Sequence, residues 1–263
     1  MLQFNYNQLK QFYKKCQKDK LIAIDTEFYR VDTYYPKLCL IQLANTEQII
    51  LLDPIENKID LEYLNKILNN TKIKKIFHAA RQDIEIFFNI FNKIPRPVVD
   101  TQIFLMAIGY PHSTSYAKAC KDLLKIEIDK NNQFIDWRKR PLDKAKKTYA
   151  INDVKYLIPL YKIIKNQCKK NFNLSKYYKK VLSKKIFTER TQNAWKKIKF
   201  HAKSELEIKN LKKFSYLREK LAMKKNIPVK RVMTDDEIKI ISRDDKKMEK
   251  KKLLKKLNIK LTN

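Results

Sequence analysis

Short apolar runs separated by polar turns mark the beginning of the chain. Three runs of aliphatic and β-branched residues follow one another closely, at residues 21–25, 38–43 and 49–53. Runs of this length and composition predict β-strands, and their close spacing predicts a meander of neighbouring antiparallel strands.

The spacing of apolar residues changes after residue 60, where helical and strand-like segments alternate. The predicted elements are a helix near 60–69, a strand at 75–78, a helix at about 81–92, a short strand at 98–100, helical segments near 101–108 and 114–124, and a long helix at about 143–168. A meander that continues into alternating strands and helices predicts an α/β fold with a mixed sheet.

Strand patterns largely stop after about residue 171. The spacing of apolar residues predicts helical segments near 176–200, 204–224, 234–242 and 246–257. A chain of 263 residues can bury one good-sized core and still form a small second unit. We therefore predict an α/β domain over residues 1–172 and a small all-α domain over residues 173–263.

The formal net charge of +31 favours a polyanionic partner, because cationic surfaces gain affinity for phosphates by releasing counterions. Only nine of the 59 basic residues are arginine, and asparagine and isoleucine are abundant. A strongly AT-biased genome produces this composition in almost any protein, so the charge supports nucleic-acid binding without establishing it. The last 93 residues carry a net charge of +19, against +12 for residues 1–170.

The types and spacing of potential metal ligands restrict which metal ions the chain can bind. The four cysteines form no Cys-x-x-Cys pair, and the three histidines lack the close spacing of a histidine metal site. Any metal must therefore be held by oxygen, which indicates a hard cation. No apolar stretch approaches the roughly 20 residues of a membrane helix, and the first twenty residues lack the apolar region of a secretory signal. We expect a soluble, cytoplasmic protein with no membrane association.

Two carboxylates come at the end of the first predicted strand. Asp25 and Glu27 are two residues apart, so in an extended chain they share one face while Thr26 faces away. Such a pair can converge on a metal ion. Polar residues at this position can also simply mark where the strand leaves the core.

Three further residues can complete an oxygen-rich site. Asp83 lies in the first turn of a predicted helix, where an acid also stabilises the helix macrodipole. Tyr149 and Asp153 are four residues apart on another helix, so they share a face, although such pairs are common by chance. Together with the strand-end pair, these side chains predict a site for Mg²⁺ or Mn²⁺. Two such ions can activate water and stabilise the leaving oxygen in phosphodiester hydrolysis.

Six stretches form an ordered set of motifs over about residues 20–165. They read Ile24-Asp25-Thr26-Glu27-Phe28, Tyr34-Tyr35-Pro36 with Leu40-Ile41-Gln42-Leu43, His78-Ala79-Ala80-Arg81-Gln82-Asp83, Val99-Asp100-Thr101-Gln102, Asp136-Trp137-Arg138-Lys139-Arg140-Pro141-Leu142 and Tyr149-Ala150-Ile151-Asn152-Asp153-Val154-Lys155-Tyr156-Leu157. This set resembles ribonuclease D, a family of DEDD 3′→5′ exonucleases in the subgroup whose final motif is Tyr-x-x-x-Asp. The resemblance implies a ribonuclease-H-like fold for the first domain.

The same resemblance implies roles for the acidic cluster. Asp25, Glu27, Asp83 and Asp153 would hold two divalent cations, Mg²⁺ or Mn²⁺, with Asp25 the candidate to bridge them. Tyr149 would hydrogen-bond the attacking water. A phenol with a pKa near 10 is a poor base at neutral pH, so we assign Tyr149 the orientation of the water and leave its deprotonation to the metal.

Five residues near these motifs are candidate substrate contacts, namely Thr26, His78, Gln82, Arg138 and Arg140. A histidine at a strand end can touch the substrate, or it can pack as an anchor of the following loop. Trp137 fits a buried position better than stacking on a base. Arg138 and Arg140 are candidates for phosphate contacts.

The tail carries a second resemblance. Residues 193–198 and 214–222, with 227–228 and 232–236, resemble the HRDC domain shared by RecQ-type helicases and ribonuclease D. Many relatives carry two such domains, whereas this chain has room for one after a linker helix. The domain either contacts RNA, as its charge favours, or only buttresses the catalytic domain.

The function implied by resemblance is that of a 3′→5′ exoribonuclease, which releases 5′-monophosphates from precursor tRNA or another small structured RNA. The expected partner is RNA, namely the 3′ end of precursor tRNA, with no obligate protein partner. Two alternatives stay open. One is a DNA-directed exonuclease of the same superfamily, since no residue can be assigned to recognition of the 2′-hydroxyl. The other is a catalytically silent RNA-binding protein on the same scaffold.

Overall fold

The chain divides into two compact units. This computed structural model describes residues 6–56, 61–128, 135–169, 171–243, 253 and 255–257. The first unit takes in the described parts of Met1–Tyr29 and Lys37–Ser183, and the second takes in Arg30–Pro36 with the described part of Lys184–Asn263. The domain ranges 1–172 and 173–263 stay a prediction.

A five-stranded sheet forms the centre of the first unit. Its strands are β1 (Leu21–Tyr29), β2 (Lys37–Ala44), β3 (Ile49–Leu52), β4 (Lys74–Phe77) and β5 (Val98–Asp100). Their order is β3-β2-β1-β4-β5, in which β1, β2 and β3 pair antiparallel while β4 pairs parallel with both β1 and β5. The predicted α/β class, the antiparallel meander and the mixed sheet are confirmed.

Helices cover the sheet. Their apolar residues recur at helical spacing and therefore form one face that packs against the strands. The helices of the first unit are α1 (Tyr6–Asp19), α2 (Leu61–Asn69), α3 (Arg81–Phe91), α4 (Thr101–Ala107), α5 (Tyr116–Leu124), α6 (Lys144–Lys155), α7 (Leu157–Gln167) and α8 (Leu174–Leu182). On α7, Leu157, Leu160 and Ile164 pack in one buried cluster with Ala23 of β1 and Ile76 of β4.

The helix predicted at about 143–168 is in fact two helices. Helix α6 ends at Lys155 and α7 begins at Leu157, while Tyr156 between them has φ −105° and ψ 1°. Pro159 explains the break, because it has no N–H for the Lys155 carbonyl and its ring would clash with that carbonyl in a continuous helix. In the first turn of a new helix, proline is tolerated.

The other differences lie towards the ends of the chain. Helix α1 was not predicted, although Leu9, Phe12 and Cys16 are fully buried at helical spacing. The single helix predicted at 176–200 is wrong. Ser183 is extended and ends α8, after which come α9 (Lys185–Thr188) and a 3₁₀ turn at Ala194–Lys197. The helix predicted at 246–257 lies almost entirely outside the described residues.

The second unit is built on α10 (Glu205–Lys225), α11 (Val229–Val232) and α12 (Asp235–Ser242), which confirms the helical segments predicted at 204–224 and 234–242. Its core includes Tyr34, from the connection between β1 and β2. The Tyr34 hydroxyl donates to Glu219 Oε1 at 2.6 Å. Asn226 accepts the backbone N–H groups of Tyr34 and Tyr35 at 3.1 and 3.0 Å. Among the described helices of the chain, none is both long and apolar enough to span a membrane.

Candidate active site

Three carboxylates meet over the middle of β1, which continues past Asp25 and Glu27 to Tyr29, so the strand end expected at Asp25 is wrong. One oxygen each from Asp25, Glu27 and Asp153 lies within 4.8 Å of the other two. All three side chains are partly buried. The structure thus brings together three of the four acids that the sequence singled out for a metal site.

Helix α6 carries Tyr149 and Asp153 to this position. Ala150 and Val154, the next residues along the helix, are fully buried, and Ala150 packs with Leu40 of β2. Residues four apart on a helix share a face. The rotation of α6 that buries Ala150 and Val154 therefore directs Tyr149 and Asp153 towards Asp25 and Glu27 on β1.

The fourth acid, Asp83, is held by Thr26. Asp83 lies in the first turn of α3, is 5% exposed, and accepts a 2.6 Å hydrogen bond from Thr26 Oγ1. Thr26 is itself buried, so its position in the structure is that of a support for Asp83. A direct contact of Thr26 with substrate, like the ligand role of Asp83, stays a prediction.

Burial raises the pKa values of all four acids, and repulsion between neighbouring carboxylates raises those of Asp25 and Glu27 further. Burial raises the pKa of Asp25 well above its usual range, and the charges of Asp83, Asp153 and Glu27 raise it further. The pKa of Glu27 rises to about 9 for the same two reasons. Burial raises the pKa values of Asp83 and Asp153 to about 7, against the opposing effect of hydrogen bonds from Thr26 and Tyr149. A divalent cation would relieve this repulsion.

The phenol of Tyr149 is kept protonated at this site. Burial, followed by the charges of Asp153, Glu27 and Asp25, raises its pKa well above the usual value. Its hydroxyl hydrogen-bonds the Asp153 carboxylate. The group is therefore a hydrogen-bond donor and not a base, in agreement with the orienting role assigned from the sequence.

Without a bound cation, the stability of the fold is expected to fall as pH rises. The folded-state pKa values lie above the ordinary values of about 4, so the protonated acids contribute full stability below about pH 4. That contribution is lost as pH rises through about 7 for Asp153 and about 9 for Glu27. We expect the rise in melting temperature on adding Mn²⁺ in place of EDTA to be larger at pH 8 than at pH 5, measured by circular dichroism. An equal rise at both pH values would contradict this electrostatic account.

A cleft of about 530 Å³ opens over the carboxylates. Its lining comprises Asp25, Glu27, Phe28, His78, Ala79, Gln82, Gln102, Ser115, Tyr116, Ile135, Trp137, Tyr149, Asp153 and Leu157. Trp137 is only 2% exposed and packs its ring against Tyr149, with centroids 5.9 Å apart. The buried position expected for Trp137 is confirmed, but the residue also forms part of the wall beside Tyr149.

Several lining residues were not identified from the sequence, among them Gln102, Ser115 and Tyr116. Gln102 lies within the motif Val99-Asp100-Thr101-Gln102, which was a signal that could have found it. Ser115 and Tyr116 had no such signal, because they reach the cleft only through the packing of α5 on α7.

His78 is anchored at both ring nitrogens. Nδ1 lies 2.9 Å from Thr101 Oγ1 and Nε2 lies 3.0 Å from the Thr114 carbonyl. Burial lowers the pKa of the ring to about 4, so the ring is neutral, and because a carbonyl can only accept, Nε2 carries the proton. These contacts favour the loop-anchor interpretation of His78. Its contact with substrate stays a prediction, as does that of Gln82, whose exposed side chain lines the cleft.

Asp100 ties together the two loops that border the cleft. Its carboxylate accepts the backbone N–H groups of Ala79 and Ala80 at 3.0 Å each, and that of Gln102 at 2.9 Å. Ala79 has a positive φ of 59°, a strained conformation for a residue with a Cβ, which these hydrogen bonds stabilise. Asp100 thus caps the start of α4 and also holds the loop that follows β4.

The two candidate arginines differ in their contacts. Arg140 donates to both carboxylate oxygens of Asp53 at 2.6 and 2.7 Å, and to the carbonyls of Trp137 and Cys39. Arg138 pairs with its neighbour Asp136 and stacks over the Tyr29 ring at 3.4 Å. Arg140 thus has a structural position, and phosphate contacts by either arginine stay predictions.

Replacing Arg140 by alanine is expected to destabilise the first unit by about 3 kcal/mol, because it leaves the largely buried Asp53 carboxylate without its cation. Both side chains of this pair are 11% exposed. Arg138→Ala is the matched control, with an expected loss below about 1 kcal/mol, since its pair is more exposed. Urea denaturation followed by circular dichroism measures both. Equal losses would mean that the Arg140–Asp53 pair has no special structural role.

The fold and the site together define a class of protein. An α/β unit with a mixed sheet gathers three carboxylates and a phenol in a cleft over the middle of its central strand. Such an arrangement of oxygen ligands suits a hard divalent cation.

The family follows from comparison with known proteins. A family model described as 3′-5′ exonuclease matches residues 4–169, which is more than half of the chain. The chain belongs to this 3′-5′ exonuclease family.

The most similar relatives include proteins named ribonuclease D. The one from Bartonella henselae is 38% identical over 218 residues, which cover 82% of this chain and 54% of the relative. The one from Serratia proteamaculans is 41% identical over 154 residues, covering 59% and 41%. The crystal structure of Escherichia coli RNase D matches with a TM-score of 0.75 at 26% identity, covering 97% of this chain and 73% of that one. The resemblance to ribonuclease D is confirmed, although the chain spans only about half the length of its first curated relative.

Proposed function

We propose that this chain is a metal-dependent 3′→5′ exoribonuclease, which hydrolyses the last phosphodiester of an RNA and releases a nucleoside 5′-monophosphate. The observation that carries the proposal is the cluster of Asp25, Glu27 and Asp153 within 4.8 Å, beside Tyr149 in an open cleft. The names of the relatives support it, as does the description of Escherichia coli RNase D as an exoribonuclease involved in structured RNA processing.

The residues at the site fit divalent cations. The ligand atoms are carboxylate oxygens, and their repulsion raises the pKa values of Asp25 and Glu27, an effect that a bound cation would reverse. We infer that Asp25, Glu27, Asp153 and Asp83 would hold two such ions, Mg²⁺ or Mn²⁺. When bound, such ions lower the pKa of water and stabilise charge on the leaving oxygen.

The protein groups around this site position the reactants. Tyr149 remains protonated and hydrogen-bonds Asp153, so its hydroxyl is held over the acidic cluster, where it orients the attacking water. The ring of Trp137 packs against Tyr149 and limits its rotation. Correct alignment of a nucleophile for in-line attack accounts for a large part of the rate enhancement in such reactions.

The natural substrate proposed here is the 3′ end of precursor tRNA or another small structured RNA, in the cytoplasm. The second unit is proposed to be HRDC-like and to contact that RNA. Lys212 and Lys196 lie over the Trp195 ring at 5.0 and 5.9 Å, and Arg243 lies over Phe200 at 4.6 Å. Paired basic and aromatic groups suit single-stranded nucleic acid, which they bind through phosphates and stacked bases.

Hydrolysis of end-labelled oligonucleotides tests the proposal. Purified protein with Mg²⁺ or Mn²⁺ is expected to shorten RNA from its 3′ end one nucleotide at a time, and EDTA is expected to stop this. A matched DNA of the same sequence tests the alternative of a DNA-directed exonuclease, which equal or faster shortening of DNA would favour. Binding of RNA without release of nucleotides under every metal condition would favour the silent RNA-binding protein.

A further inference from the structure

Gln42 on β2 is an anomaly in the first unit. Its side chain is fully buried, yet neither Oε1 nor Nε2 has a hydrogen-bond partner among the described residues. Buried polar groups in native proteins nearly always have a partner, so each exception calls for a physical explanation. Packing alone does not explain an amide at this position, since an apolar side chain of similar shape would fill the same space.

The strand register sets Gln42 directly opposite Asp25. In the antiparallel pair of β1 and β2, Asp25 faces Gln42 and Glu27 faces Leu40. Residues directly opposite in such a pair project from the same face of the sheet, with Cβ atoms about 4.5–5.5 Å apart. Gln42 therefore lies on the face that carries the carboxylates.

Apart from Asp25 and from Glu27, which lies one pair further along the strands, the strand pairing sets apolar residues beside Gln42. The next pair along the two strands is Ala23 and Ala44, and on β3 the residue opposite Gln42 is Leu51. The helix that covers this face contributes the buried Ala150. Asp25 is thus the polar side chain that the sheet register sets beside the amide.

We propose that Gln42 is a positioning residue for Asp25, whose amide N–H donates to the Asp25 carboxylate when that carboxylate binds a divalent cation. This inference rests on the proposed metal site. A carboxylate that binds a metal ion still has lone pairs that can accept a hydrogen bond from another protein group. That hydrogen bond fixes the rotation of the carboxylate about the Cβ–Cγ bond. Partners of this kind typically change metal affinity or activity by about 10- to 100-fold.

The test measures Mn²⁺ affinity of the full chain by calorimetric titration, for wild type, Gln42→Met and Gln42→Leu. Both substitutions remove the polar atoms and keep an apolar side chain of comparable size. We expect the Mn²⁺ dissociation constant to rise about 10-fold or more, while the melting temperature in EDTA is unchanged or higher, because an unpartnered amide is gone. In RNA hydrolysis, kcat is expected to fall with little change in KM.

Ser215→Ala is the matched control. Ser215 Oγ in the second unit is also fully buried and without a partner among the described residues. Its removal is expected to leave Mn²⁺ affinity unchanged. If either folded Gln42 variant binds Mn²⁺ as tightly as wild type, the inference is overturned while the proposed function stands. If wild type itself binds no Mn²⁺, the proposed metal site fails and this inference fails with it.

Discussion

Asp25→Asn is expected to reduce RNA hydrolysis by about 10³-fold or more, the largest effect of any single substitution considered for this chain. The negative charges of all three other acids raise the pKa of Asp25, so Asp25 interacts with every member of the acidic group. Asparagine keeps its shape but supplies one neutral oxygen in place of a carboxylate. The loss should appear in kcat with near-normal binding of RNA, measured by release of labelled nucleotides and by filter binding.

Asp153→Asn should produce a loss of similar size, because Asp153 both joins the carboxylate cluster and accepts the hydrogen bond from Tyr149. Asp122→Asn provides the charge-matched control. Asp122 is paired with Lys118 on α5, outside the cleft lining, and its loss should leave hydrolysis unchanged. Full activity of Asp25→Asn would rule out the acidic cluster as the active site.

Tyr149→Phe is expected to lower kcat by about 10²-fold without changing Mn²⁺ affinity. The substitution removes the hydroxyl that hydrogen-bonds Asp153, and it keeps the ring that packs against Trp137. The reason for the loss is misalignment of the water, so the pH–rate profile should keep its shape. If Tyr149 acted as a base, the alkaline limb of that profile would change instead.

Tyr177→Phe is the control for this substitution. The Tyr177 ring stacks on Phe172 with centroids 5.2 Å apart, and it is not among the residues that line the cleft. Removal of its hydroxyl should leave kcat unchanged. A Tyr149→Phe variant that hydrolyses RNA at the wild-type rate would show that the phenol plays no part in the reaction.

The candidate active site brings several energetically unfavourable polar groups together. Four acids with raised pKa values come together around the middle of β1, and the buried amide of Gln42 opposite Asp25 has no partner among the described residues. Clusters of perturbed groups are typical of functional sites, because the same repulsion that destabilises the metal-free fold favours a cation. The predictions about the pH dependence of stability, about Asp25→Asn and about the Gln42 variants all depend on one effect. That effect is the relief of carboxylate repulsion by a bound cation.

Much of the fold was predictable because the signals are local. Short runs of aliphatic and β-branched residues gave the strands, and apolar residues at helical spacing gave most of the helices. The break between α6 and α7 at Tyr156 was missed, although the sequence could have predicted it. Pro159 is visible in the sequence, and its steric effect acts on residues close to it. The N-terminal helix was missed although Leu9, Phe12 and Cys16 recur at helical spacing.

Part of the active site could also be predicted from local sequence patterns. The i, i+2 spacing of Asp25 and Glu27 and the i, i+4 spacing of Tyr149 and Asp153 determine which side chains share a face, whatever the rest of the chain does. The ordered motifs then identified the family before any geometry was known, and the family model bears this out.

The sequence by itself therefore determined the strands, most helices, the α/β class, the pairs of residues that share a face and the resemblance to ribonuclease D. Only the tertiary structure decided that Thr26 holds Asp83, that Arg140 binds Asp53, that Tyr34 belongs to the second unit and that Gln42 is buried opposite Asp25. The reason is physical. Backbone periodicity depends on neighbours a few residues away, whereas side-chain partners depend on which distant segments are brought together and on the rotamers that the packed core then allows.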